Sequence, residues 1–328
     1  NNGFYLSFAG GGIMSATGGT ITDLGNAGNY EFFDIGSIVG NSIFPLAPLK
    51  NNYDSSGLVQ IVRVPNYSGD VNITSELQAL PWDDVSGEGG IIALFVEGTL
   101  TFNANINVSG SGYIGVQMTV NGLPDNCSIA TNTQYNLPTG NTDSWFKGGG
   151  VAIAGVNNQK GRAPLGNGGG SGVSGDSGGG GGANYGSGGI GGNRWCDFGT
   201  IAGGVGGNGL STFIANRNRV FFGGAGGAGF VTTNNPSQAS NGGGIVVLRA
   251  ETIVGNGFTI DASGIDALAV NPVGAPDGGG GGGAGGSVAF DVKSYSGTLN
   301  INISGGDGQT LNTDIVHGPG GGGGGGVF

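Results

Sequence analysis

"GGIIALFVEGTLTFNANINVSGSG", residues 89–112, opens on two glycines, alternates β-branched or aromatic residues with small polar ones from Ile91 to Val108, breaks once at Glu97-Gly98, and closes on Ser-Gly. A period of two sustained over that length is the signature of strands. The phrasing returns as "GGGIVVLRAETIVGNGFTIDASG" at 242–264 and "GGSVAFDVKSYSGTLNINISGGDG" at 285–308. Each unit has a glycine pair, an alternating strand, a polar turn, and a second strand ending in Ile-x-Val/Ala/Ile-Ser-Gly.

One such unit cannot bury its apolar face alone, whereas stacked units share a continuous core and hydrogen-bond ladder. The inward positions are then Ile92, Leu94, Val96, Ile106 and Val108, answered by Val246, Leu248 and Ile260, and by Val288, Phe290 and Val292. The expected fold is all-β: a glycine-rich parallel β-solenoid or β-helix, preferred over a β-sandwich because sandwich turns rarely carry long glycine runs. Residues 1–57 read as an N-terminal β segment and 58–328 as the solenoid domain, interrupted by an insertion at 113–241. Val327-Phe328 stand where earlier units begin their first strand, so the native protein is expected to continue beyond 328.

Glycine accounts for 80 of 328 residues, far above the usual share of about 7 %. Such chain is flexible unless its backbone donors and acceptors find partners. Without side chains, neighbouring segments approach closely enough to bond in several directions. The runs 278–283 and 320–326 are therefore expected to form polyglycine-II-like segments, extended with three residues per turn and bundled side by side. No apolar pattern at three-to-four spacing lasts a dozen residues, so helices should be few.

Charged residues make up 9 % of the chain and the net charge is −11. No basic stripe is available to neutralise phosphates, which argues against nucleic acid as a partner. No apolar run reaches the length of a membrane span, which argues against membrane insertion. The sequence begins at Asn1, as a processed product or an excised piece would. Its two cysteines, Cys127 and Cys196, fit no zinc spacing and read as a disulfide formed in an oxidising compartment, with two buried thiols as the alternative.

Several stretches look chemical. "GVSGDSGGGGG" (172–182) contains the GDSGG string that carries the nucleophile of trypsin-like proteases, but the one histidine, His317, follows Ser177 instead of preceding it. Glycine-rich text spells that string by accident, and no enzyme or cofactor is expected. The same region approaches a calcium-binding nonapeptide, with Ser174 where a ligand aspartate belongs. Asp83, Asp84 and Glu88 beside Trp82 could begin a calcium site, although a solvated acidic turn explains them more simply. Trp145, Phe146, Tyr185, Trp195, Phe221 and Phe222 could stack on sugars, or plug the ends of glycine bundles. Lys160, Arg162, Arg217 and Arg219 suit ion pairs or bonds to glycine carbonyls.

The succession from "VQIVRVPNYSGDVNITSELQALPWDDVSGEGG" (59–90) through the three units to "HGPGGGGGGG" (317–326) resembles the glycine-rich region of giant secreted surface proteins of gliding Bacteroidota, the SprB-type gliding-motility adhesins. The likeness covers residues 58–328. It implies an extracellular, cell-surface, non-enzymatic role in attachment and gliding motility. It also implies export by the type 9 secretion system, whose translocon, with gliding-machinery components, would be a partner. Surface polysaccharide is a further candidate partner. A glycine-rich phage tail-fibre receptor-binding tip and a β-helical carbohydrate-active enzyme are the alternatives.

Overall fold

The computed structural model describes residues 2–7, 13–14, 19–53, 58–116, 135–136, 146–152, 159–193, 202–214, 219–231, 237–268, 277–311 and 317–328. Cys127 and Cys196 lie outside these, as do Trp145, Trp195 and Arg217.

The amino-terminal part folds antiparallel. Strands β1 (Asn2–Ser7), β2 (Ile13–Met14), β3 (Ile21–Asp23), β4 (Tyr30–Val39), β5 (Ser42–Pro45) and β6 (Val59–Val64) build one four-stranded sheet of order β5-β4-β1-β6 and a small β2-β3 pair. Gly40, with φ at 57°, turns the chain between β4 and β5, a backbone state that costs glycine nothing sterically.

The repeats pair in parallel. Strands β7 (Asn66–Tyr67), β8 (Val71–Ile73), β9 (Leu77–Gln78), β10 (Ile91–Phe102), β11 (Ile106–Asn107), β12 (Ile245–Val254), β13 (Thr259–Asp261), β14 (Ser287–Ser296) and β15 (Asn300–Asn302) form two sheets. One has the order β14-β12-β10-β7, with β8 also on β10, and the other β15-β13-β11-β9. Equivalent residues of the repeats face each other: Leu94 opposite Leu248 opposite Phe290, and Ile106 opposite Ile260 opposite Ile301. The break at Glu97-Gly98 is a register shift, where Thr99 N–H donates to the Asp70 carboxylate at 2.7 Å.

Alternation sends residues of β10, β12 and β14 to two cores. Every inward position named above lies in or against one cluster between the two parallel sheets, with Val96, Leu100, Phe102 and Ile106 fully buried. Burying each such side chain contributes about 1.5–3 kcal/mol. On the opposite face Ala93, Ile245 and Val247 pack with Leu24, Val64, Phe221 and Phe222, which joins the amino-terminal segment to the parallel sheet. There Trp82, Tyr113 and Phe222 meet with ring centroids 5.2–6.3 Å apart.

The remaining mass is a lattice of glycine chain. Segment 178–183 lies at its centre. Its successive N–H groups donate to Gly192, Gly279, Gly170, Gly189, Gly282 and Asn167, and its successive carbonyls accept from Gly204, Gly321, Gly227, Gly207, Gly324 and Gly224. Each neighbour therefore recurs every three residues, and six surrounding segments share the bonding of one. Glycine is obligatory here because a Cβ on Gly182 would fall 1.9 Å from the carbonyl oxygen of Gly224.

The sheet arrangement corrects the expected glycine-rich parallel β-solenoid or β-helix. The sheets are separate and open, two of them antiparallel and two parallel, and none closes on itself. Alternation specifies which residues face inward, but it does not specify how strands connect. The described residues between β11 and β12 enter the glycine lattice and add no coils, while β6 pairs backwards onto β1. Among the described residues the helical content is one turn, α1 (Ser211–Ile214).

Candidate functional site

The GDSGG stretch forms a buried turn at one end of the central glycine segment. Ser177 is fully buried, and its Oγ accepts from the backbone N–H groups of Val173 at 3.1 Å and Ser174 at 3.3 Å. Asp176, at φ 54°, places its carboxylate 3.5 Å from Nε2 of His317, and both side chains are almost wholly enclosed. The fold thus brings Ser177, Asp176 and His317 into one neighbourhood despite their order in the chain. What they do there is hold a turn and fasten the start of segment 317–326 to it. Ser174 is likewise buried in this turn.

The acidic stretch closes on itself. Asp83 accepts from Val85 N–H at 2.9 Å and from the Ser86 hydroxyl at 3.1 Å, and its own N–H donates to Glu88 O at 2.8 Å. The Val85 bond foremost, and after it the Ser86 hydroxyl, hold the Asp83 carboxyl below its ordinary value. Asp84 and Glu88 face solvent. Among the described residues no three His, Cys, Asp or Glu side chains gather as metal ligands.

Three of the four basic residues singled out above are described, and each meets a ring or a glycine carbonyl. Lys160 Nζ lies 4.5 Å from the Phe146 ring centroid. The Arg162 guanidinium donates to Gly203 O at 2.9 Å and covers the Tyr135 ring, and burial lowers its affinity for the proton. Arg219 donates to Gly25 O at 2.9 Å. Of the aromatics, Phe221 and Phe222 are core, while Tyr185 is exposed. Tyr185 lines an open groove of about 740 Å³ with Tyr30, Arg219, Phe290 and Phe328, where the amino-terminal sheet, the lattice and the edge strand β14 meet.

Sequence reasoning missed two sets of residues. Asparagines end the glycine segments: Asn167 accepts from Val151 N–H and donates to Ala183 O and Phe222 O, and Asn184 donates to Gly285 O and Phe221 O. Asn208 and Asn241 similarly bond backbone carbonyls where 203–207 ends and 242–244 begins. The available signal was an asparagine beside a glycine tract, where a primary amide replaces the backbone partners that the lattice no longer supplies. The second set is Lys147 with Asn136. Lys147 is 4 % exposed, its Nζ donates to Asn136 Oδ1 at 2.5 Å, and burial pushes its ammonium down to about 7.

A scan against protein-family models and searches of curated proteins and of solved structures return no match.

Proposed function

We propose that this chain is a structural and adhesive segment of a large extracellular surface protein. The observation that carries the reading is the lattice around 178–183, in which six segments, from as near as 167–170 to as far as 321–324, share every backbone bond of the central one. Backbone bonded in several directions, with no side chains to repack, suits a stiff element that resists pulling and proteolysis. The short acidic turn, the buried Ser177 and the ring-bound basic residues all serve the frame, which agrees with a part that holds and displays. The sequence resemblance adds the particular form: a SprB-type gliding-motility adhesin, exported by the type 9 secretion system and contacting its translocon or gliding machinery.

Surface polysaccharide is the partner this reading favours, at the groove lined by Tyr30, Tyr185, Arg219 and Phe290. Rings offer flat apolar faces to sugar C–H groups, and the phenols and guanidinium supply hydrogen bonds. The experiment is antibody labelling of intact and of lysed source cells. Labelling of the intact cells supports the proposal, and signal found only after lysis overturns it.

A further inference from the structure

We infer that Lys147 and Asn136 become joined by an intramolecular isopeptide bond that forms after folding. The two side chains come from separately fastened pieces of backbone. Tyr135 O accepts from Ala163 N–H at 3.0 Å and its ring lies under Arg162, which fixes Asn136 from one side. Lys147 N–H donates to Gln159 O at 3.0 Å, and Gly148 N–H to Gly169 O at 2.8 Å, which ties the lysine to the lattice. Folding therefore delivers amine and carboxamide to one place without help from either group.

The geometry suits attack. With Nζ 2.5 Å from Oδ1 and a C=O bond of about 1.23 Å, the carboxamide carbon lies no more than about 3.7 Å from the amine. Reacting atoms held about 3–3.5 Å apart react as though at very high concentration, so a small rotation of the amide suffices. Burial also makes the amine a nucleophile, since a lysine whose ammonium is pushed down to about 7 is largely neutral at slightly alkaline pH. The burial of Lys147 keeps its amine away from bulk water.

In the reaction the Nζ lone pair forms a bond to Asn136 Cγ. The carboxamide C–N bond breaks with its electron pair on nitrogen, one amine hydrogen moves to that nitrogen, and ammonia leaves. No oxidant or other co-reactant is consumed. The product removes a standing cost, because a buried amine can ionise and an amide cannot. It also closes the chain between 136 and 147 covalently, beside the lattice. This inference does not depend on the surface-protein reading.

The test is the intact mass and tryptic map of the folded, reduced full chain. The expected mass is below that of the sequence by one ammonia, with no cleavage after Lys147 and a branched fragment joining positions 136 and 147. Asn136→Ala and Lys147→Arg should each show no loss, and Asn136→Asp should lose one water instead. A full sequence mass with ready cleavage after Lys147 overturns the inference. So does an ammonia loss that survives Asn136→Ala, which would belong to a succinimide at an Asn-Gly pair such as Asn256-Gly257.

Discussion

The backbone N–H of Gly182 donates to the carbonyl of Gly282 at 2.9 Å, joining two glycine runs from distant parts of the sequence. Three residues earlier, Gly179 makes the same bond to Gly279. The lattice consists of such relations repeated in six directions, and at Gly182 its packing leaves no room for a methyl group.

Gly182→Ala should therefore prevent cooperative folding or cost more than about 4 kcal/mol, because the clash is with backbone that cannot rotate away. Gly325→Ala, with nothing within 4 Å of the added carbon, should stay within about 0.5 kcal/mol of the parent. Urea midpoints of the two variants check the pair, and equal midpoints would dismiss the steric account.

The repeat ending Asn/Asp-x-Ser-Gly has a physical role. Asn107, Asp261 and Asn302 each accept from the N–H and hydroxyl of the serine two residues on, and Asn302 also donates to Asp261 at 3.2 Å. Asp261→Ala should cost about 1–2 kcal/mol. Asp261→Asn should cost less than about 0.5 kcal/mol, since an amide oxygen already does this work at 107 and 302. Thermal melts of both variants read the difference.

Asn167 is fully buried, with its amide fixed by one accepted and two donated bonds. Asn167→Asp keeps the acceptor, strips both donors and places a carboxylate among carbonyls. We expect a loss of about 3 kcal/mol or more, recovered in part at low pH when the acid is protonated. A chemical denaturation series from pH 4 to 8 measures it.

Asp83 gives a pH dependence of known sign. Its folded carboxyl is held below the ordinary 3.8 by the Val85 and Ser86 bonds. The turn's stabilisation is thus complete above that value and fades as pH falls through the lower folded one. Asp83→Asn should flatten the dependence of Tm on pH below 3.8. An unchanged acid limb would assign that limb to other carboxyls.

Cross-linking at Lys147 should follow the neutral amine. In chain recovered unfolded and then refolded, the rate of ammonia loss should fall about a hundredfold from pH 8 to pH 5, following deprotonation at about 7. Mass spectrometry on timed samples gives both rates, and equal rates would separate the reaction from this amine.

The period of two at 89–112 and its echoes at 242–264 and 285–308 were enough to predict strands. They also placed Leu94, Leu248 and Phe290 on one inward face, because alternation is a local property that each segment carries by itself. The shortage of helix was legible for the same reason. Connectivity was not. Strands β1, β4 and β5 pair antiparallel although alternation allows either direction, and glycine tracts do not encode which neighbour they will bond. Nor could the sequence show that His317 meets the turn of Asp176 and Ser177, or that Lys147 meets Asn136. Such meetings depend on where distant segments cross, and only the packed chain decides that.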